Sequence, residues 1–391
     1  MKKVLILSSR VPYPLVGGDR IRVYNMSRII ATKYQADLLA INESGAKRED
    51  IKVLEETFNE LFLFDFGPMT LKLNALKKLL SRKPIQVEGY YFSAIQKWID
   101  GHWKEYDLIY CNHVRTAEYV RNLPCRKVLD FVDAISLNYK TALSRAKGFW
   151  KAFYFIEEKR LLPYELRVLR SFDKSFVTSP VDRRYLLGHA SGPASLEVIP
   201  NGVNNRAVEW SKSVKEENWI SFLGKMDYYP NEDAVIYFAK EVFPLLSKAI
   251  HNMKFIIVGA YPTKKVQQLK RIPGVEVTGF VDDPYEYLAK SKVVVAPMRF
   301  GAGIQNKILE AMALKKAVVT TSVGAGGVQG EDGSHFVIAD TPREMSERIL
   351  ELIRDEHKRI VLGENARVLI EHEYTWNIVG RKLLEELSEV I

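Results

Sequence analysis

APMRFGAGIQNKILEAMALKKAVVTTSVGAGG, running from Ala296 to Gly327, decides how this chain folds. Val293, Val294, Val295 and Ala296 make a short apolar, β-branched run, the pattern of a parallel strand covered on both faces. Pro297 ends it. Gly301 and Gly303 let the backbone turn sharply, and Ile304, Ile308, Leu309 and Met312 then mark a helix that faces a core. The first-turn amides of such a helix point back at the strand end, where with the helix dipole they can hold an anion. Lys307 can neutralise a phosphate there. Glu310, almost one turn further on, can accept from a sugar hydroxyl. An ordinary α/β turn carrying a surface Lys and Glu has the same spacing, so both readings stand at this point.

Outward from this unit the chain alternates strands and helices twice over. The first series predicts strands at Lys3 to Leu7, Ala36 to Ile41, Leu61 to Phe64, Leu108 to Cys111, Lys127 to Phe131, Lys174 to Thr178 and Leu196 to Ile199. A helix from about Asp19 to Tyr34 follows the first strand after the loop SSRVPYPLVGG, which sets Gly17 and Gly18 just ahead of a helix N-terminus. The second series predicts strands at Trp219 to Leu223, Lys254 to Val258 and Val275 to Phe280, with helices at Glu232 to Leu246 and Pro284 to Lys290, and then the opening unit. The fold class is therefore α/β, with two doubly wound Rossmann-like domains. We place them at 1–200 and 219–374, joined by a polar, turn-rich hinge at 201–218 in which Asn201 and Gly202 form a tight turn. A terminal amphipathic helix at 375–391 is expected to pack back on the first domain. Two such domains imply a cleft between the carboxyl edges of their sheets, with the Gly17–Gly18 loop on one side and the Lys307 helix on the other.

At 391 residues the chain is long for one core, and 47% hydrophobic with 27% charged residues is ordinary for a folded protein. Two cysteines, Cys111 and Cys125, match no metal or redox spacing, which favours a reducing cytoplasm. The start, MKKVLILSS, is basic, but its apolar run is too short for a signal peptide and reads as a strand. No run approaches the ~18 apolar residues of a membrane span.

The net charge of +9 is unevenly placed. Residues 1–195 carry 32 Lys and Arg against 21 Asp and Glu, a balance of +11, and the remainder carries 25 against 27. The anionic partner thus belongs to the first half. Two stretches there lack acids altogether. In MTLKLNALKKLLSRKP, Met69, Leu73, Leu76 and Leu80 share a helical face beside Lys72, Lys77, Lys78, Arg82 and Lys83. Between Asp133 and Glu157, Lys140, Arg145, Lys147 and Lys151 interleave with Phe149, Trp150, Phe153, Tyr154 and Phe155, a mixture suited to a lipid headgroup zone. An anionic membrane surface is the expected partner. No nucleic-acid-binding motif is present.

With these residues in view, the chain resembles glycosyltransferase family 4 over essentially its full length. These are retaining nucleotide-sugar transferases of GT-B architecture, in which two Rossmann-like domains face each other across a cleft. PYPLVGG, CNHVRTAEYV, VIPNGV, FLGKMDYYPNEDAVIYF, VTGFVDD and KILEAMALKKAVVTT followed by GAGG carry the resemblance in order. It implies that Gly17 and Gly18 offer amides to the donor phosphates and that Glu310, the second glutamate of a Glu-x7-Glu element, grips the ribose. Lys307 and the amides around Gly303, Ile304, Gln305 and Asn306 would meet the diphosphate and donor sugar. Gly279, Phe280 and Val281 would read the base, Lys225 would face the diphosphate, and His113 would lie near the transferred sugar. The first glutamate of the element falls on Ala302. A subgroup with an Arg-x-Gly-x-Gly-x-x-x-Lys pattern shares that loss, and Arg299 with Gly301, Gly303 and Lys307 fits it, so Arg299 would replace part of the lost polar contact or be a surface arginine.

The implied reaction is transfer of a hexose from a nucleotide-diphosphate sugar to a glycan or lipid-linked acceptor at the inner membrane face. Lys307 and Lys225 stabilise the leaving diphosphate, and no metal or cofactor is called for. Asp282 with Asp283 reads as a helix start rather than a metal-binding Asp-x-Asp. Asp130 and Asp133 are acceptor-side candidates, with helix capping as the alternative for Asp133. Two other functions remain open: a nucleotide-sugar epimerase or phosphorylase on the same architecture, and a non-enzymatic polyanion binder.

Overall fold

In the computed structural model every residue is described except Val16, Ser44, Leu79, Leu80, Arg145 and Ala302. Leu80 of the first basic stretch, Arg145 of the second and Ala302 of the glycine turn therefore lie outside the described residues. The chain divides into two units, Met1–Pro200 with Val379–Ile391, and Asn201–Ile378.

In the first unit seven parallel strands form one sheet: β1 Lys3–Ser8, β2 Gln35–Asn42, β3 Leu61–Asp65, β4 Leu108–Asn112, β5 Lys127–Val132, β6 Lys174–Val177 and β7 Leu196–Val198. Each lies within a residue of its expected ends. Their order is β3-β2-β1-β4-β5-β6-β7, so the connection reverses direction between β1 and β4, where Ser8 pairs with Asn112. The continuous apolar runs are explained by burial on both faces: Val4, Leu5, Ile6 and Leu7 are all in the core.

The second unit holds six parallel strands, β8 Glu217–Leu223, β9 Lys254–Val258, β10 Val275–Gly279, β11 Ser291–Ala296, β12 Ala317–Thr320 and β13 Val337–Ile338. Their order β10-β9-β8-β11-β12-β13 has its reversal between β8 and β11. Ligands of doubly wound sheets bind outside the carboxyl ends of the strands at such reversals. Both candidate regions of the sequence, the His113 turn after β4 and the glycine turn after β11, fall there.

Three expectations change. The helix expected at Glu232 to Leu246 starts at Tyr229 and is broken by a π turn at Phe238–Val242. Pro244 explains the break, because it supplies no amide for the preceding turn, and Phe243 N–H bonds back to the Phe238 carbonyl instead. Asn201 and Gly202 make no tight turn. Gly202 is there because a Cβ would lie 2.4 Å from Cδ2 of Trp376, and Asn201 Nδ2 donates to Asn306 Oδ1 at 2.9 Å. The segment expected as a polar hinge buries Val203 and Ala207, contains a short helix, Asn205–Glu209, and donates a hydrogen bond from Val203 N–H to the Tyr374 carbonyl within the second unit.

Candidate active site

At the reversal of the first sheet, Gly17 has φ 102° and caps the helix Gly18–Lys33. The first turn of that helix already carries Asp19, which is ion-paired with Arg10 at 2.5 Å. His113 follows β4 with φ 68°, a left-handed conformation unusual for histidine. Its backbone N–H bonds to the Asp130 carbonyl at 2.7 Å, and its Nδ1 accepts from Arg115 N–H at 3.3 Å. The ring proton therefore sits on Nε2. Burial, with the Arg115 and Arg10 charges nearby, holds His113 well below the usual histidine range, so the ring is neutral at physiological pH and offers one donor.

The acceptor-side aspartates need correcting. Asp130 is fully buried in a bidentate ion pair: Arg22 Nε and Nη2 donate to its two oxygens at 2.8 and 2.9 Å, and Tyr110 Oη donates at 3.1 Å. A carboxylate so engaged holds the fold and meets no acceptor. Asp133 does not cap the helix Ile135–Leu143. The amides entering that helix go elsewhere, Ala134 N–H to Asp182 at 3.0 Å and Ile135 N–H to Glu165 at 2.8 Å. The Asp133 carboxyl accepts from Thr178 Oγ1 at 3.1 Å, and burial together with the Asp182 charge pushes it up to about 8.

The second unit shows how the opening stretch works. Gly301 and Gly303 take φ 110° and 74°, and Gln305 caps the helix Asn306–Ala313. The turn is held from behind: Thr321 Oγ1 donates to the Met298 carbonyl, and Gly327 packs so closely that a Cβ would stand 2.3 Å from the Gly303 carbonyl oxygen. On the far side of β8, a Cβ at Gly259 would lie 1.8 Å from the Gly224 carbonyl oxygen, so those strand ends touch through bare backbone.

Lys307 and Glu310 are partly buried on this helix. Lys307 Nζ donates to Gln305 Oε1 at 3.0 Å and lies 5.5 Å from the centre of the Phe222 ring. Among the described residues no carboxylate lies within 4 Å of it, and Glu310 has no hydrogen-bond or ion-pair partner. Burial pushes the Lys307 ammonium down to about 8, opposed by Glu310, and pushes the Glu310 carboxyl up to about 7, opposed by Lys307. Among the described residues, a desolvated cation with no carboxylate beside it and a desolvated carboxyl with no partner mark a candidate ligand site. Nearby, Tyr285 is pushed up by burial and then by the Glu310 charge, and Arg206 stacks over its ring at 5.9 Å. Neither residue was singled out in the sequence, where nothing but folding reveals their proximity.

Other expected site residues fare differently. Arg299 does not stand free: its Nε and Nη2 bind Asp233 at 2.8 and 2.5 Å, and its guanidinium covers Tyr237 at 4.6 Å. Lys225 follows β8 as expected, but its ammonium is half-exposed and pairs with Asp227 at 3.3 Å. Gly279 ends β10 with φ 77°, Val281 is partly buried, and Phe280 is 77% exposed. Asp283 stands at the start of the helix Pro284–Lys290 without capping it, because its carboxylate holds Lys212 at 2.8 Å and Trp210 Nε1 at 3.3 Å.

A family model described as Glycosyl transferases group 1 matches residues 217–355, the part of the chain that holds the Lys307–Glu310 helix. This part of the second unit is thus similar to a glycosyltransferase domain. The chain is 26% identical over 191 residues, 46% of its length and 48% of the relative's, to the capsular polysaccharide biosynthesis glycosyltransferase CapM of Staphylococcus aureus. It is 21% identical, over 99% of its own length and all of the relative's, to an uncharacterized 44.6 kDa protein in the cps region of Klebsiella pneumoniae. Among solved structures, HepE of Anabaena in complex with UDP covers all of both chains with a TM-score of 0.69 at 18% identity. The fold is GT-B, with two Rossmann-like domains.

Proposed function

We propose that this chain is a retaining, metal-independent hexosyltransferase that moves a sugar from a nucleotide-diphosphate sugar to a glycan or lipid-linked acceptor in surface-polysaccharide assembly. The observation that carries the proposal is the Lys307–Glu310 pair at the reversal of the second sheet: both groups are desolvated, and among the described residues the lysine has no carboxylate partner and the glutamate has none at all. Lys307 and the amides at Gly303 to Asn306 receive the diphosphate, and Glu310 accepts from the ribose hydroxyls. The exposed Phe280 ring beside Gly279 and Val281 gives the base an apolar platform. By itself the first unit offers backbone amides at Gly17 and Gly18 and the Nε2–H donor of His113. As the bond from sugar C1 to the diphosphate oxygen breaks, negative charge gathers on that oxygen, where Lys307 lowers its energy. The acceptor oxygen bonds to C1 on the same face, and its proton passes to the departing phosphate.

UDP, the ligand seen in HepE, is the first nucleotide to test. A thermal-shift screen of UDP, GDP, ADP and their sugars is expected to give one clear stabiliser. A purified protein that ignores all of them sinks the proposal, and conversion of a donor to an isomer without acceptor points to epimerisation. Glu310→Gln is expected to weaken nucleotide binding by about 1–3 kcal/mol, roughly 5- to 150-fold. Wild-type affinity should fall as pH drops through about 7, because the carboxyl must be ionised to accept. In the Gln variant that acid limb should vanish; calorimetric titration across pH reads both effects.

The acceptor's setting follows from the first unit. Its two basic stretches contain the helix Pro68–Lys77 and the start of the helix Gly148–Leu169, and both carry apolar residues that face outward: Met69 is 70% exposed and Phe149 75%, and Leu73, Leu76, Trp150, Phe155 and Ile156 are also exposed. No helix among the described residues is long and apolar enough to cross a membrane. We assign these faces to the inner surface of an anionic bilayer. Phe149→Ala with Trp150→Ala should release the protein from phosphatidylglycerol vesicles. Salt should release the wild type, and a wild type that fails to sediment with such vesicles at low salt removes the membrane assignment.

A further inference from the structure

The helix Gly148–Leu169 is exposed along one stripe that changes character midway. Ala152, Ile156, Lys159, Pro163, Arg167 and the following Arg170 succeed one another at three- and four-residue steps, with Phe155 beside Ile156, so they lie on one face. Apart from Lys151, the stripe is apolar up to Ile156, and it is basic from Lys159 onward. Beside the basic half lies a groove of about 610 Å³, walled by Ser81, Arg82 and Lys83 from the neighbouring loop and by Lys159, Arg160, Pro163, Tyr164 and Arg167 from the helix.

Five of those eight residues are cationic and none is acidic. Lys83 is neutralised by Glu118 at 2.8 Å and Arg160 by Glu157 at 2.9 Å. Arg82, Lys159 and Arg167 have no carboxylate partner among the described residues; the Lys159 ammonium sits only on the Phe155 ring, at 4.1 Å. Three uncompensated cations in one concavity call for an anion with several acceptor oxygens. The apolar half of the stripe says where that anion resides. Trp150 and Arg167 are separated along the axis by about 25 Å, so a helix tilted against the surface would seat its aromatic end among acyl chains and its basic end at the phosphate level.

We propose that the groove between Arg82, Lys159 and Arg167 binds the phosphate headgroup of an anionic bilayer lipid. This inference rests on the assignment of this face to a membrane, and its test keeps the two apart. Full-length protein is titrated with soluble short-chain phosphatidic acid by calorimetry, and separately with phosphatidylcholine vesicles containing phosphatidylglycerol. Wild type should bind the short-chain lipid saturably at one site. Arg82→Ala with Arg167→Ala should abolish that binding and weaken vesicle affinity by about 30-fold, the effect of two near-surface cations. Lys72→Ala with Lys77→Ala removes the same charge elsewhere on this face and should leave the short-chain titration unchanged.

Phe149→Ala with Trp150→Ala should lose vesicles yet keep the short-chain lipid. A wild type that takes the soluble lipid but ignores vesicles removes the membrane assignment and leaves the groove standing. Equal short-chain binding by wild type and Arg82/Arg167 variant overturns the groove. So does saturable binding of an acidic oligosaccharide with none of the lipid.

Discussion

Lys307→Ala lowers kcat/KM for sugar transfer by about 10²- to 10³-fold, the scale lost when one preorganised donor to a developing anion is removed. Most of the loss appears in kcat, because the leaving oxygen gains charge mainly in the transition state, with a smaller rise in KM from the ground-state diphosphate. The ammonium, pushed down to about 8 by burial, is the binding form. Wild-type activity should therefore decline as pH rises through about 8, shifted upward when the diphosphate is bound, and the variant should lack this alkaline limb. Steady-state kinetics across pH measures both. Activity within about threefold of wild type, with the alkaline limb intact, would remove Lys307 from the chemistry.

Asp130→Ala is expected to be the most damaging single change to stability in the first unit. It leaves the Arg22 guanidinium, 0% exposed, without its carboxylate and deprives Tyr110 Oη of its acceptor. Removing one member of a buried ion pair costs about 3–5 kcal/mol, which for a unit of this size is on the order of a 10 °C fall in Tm. The paired change Arg22→Met with Asp130→Leu should recover much of that loss, since no stranded charge remains. Differential scanning calorimetry of both variants decides it, and an Asp130→Ala protein that melts like wild type would contradict the structural role given to this pair.

The strands were legible because burial on two faces demands continuous apolar runs, and the glycine turn before Lys307 was legible because its conformation demands residues without a Cβ. The fate of the charged side chains was not. Arg299 looked available from spacing, yet Asp233, 66 positions earlier, faces it across the second unit. Asp130 looked reactive beside the turn at Asp133, yet Arg22 from the first helix claims it. Such pairings join residues far apart in sequence, and no local pattern encodes them. Lys307 and Glu310 were readable for the opposite reason: they stand three apart on one helix, and their shared surroundings follow from the helix itself. The aromatic and basic stretches were legible as surface from composition, but the groove between Arg82 and Arg167 required two segments to meet.

The bare-backbone contact of Gly224 with Gly259, and the seat of Gly327 against Gly303, bear on how mutational tolerance should be interpreted in this chain. A saturation scan would score these positions as severely as Lys307, although none of them carries a side chain. Substitution by alanine forces atoms into occupied space and shifts the strand ends and the turn that present the reactive groups. Intolerance there reports the shape of the scaffold. A screen that selects on growth alone would merge the two classes, and pairing it with an abundance measurement would pull them apart.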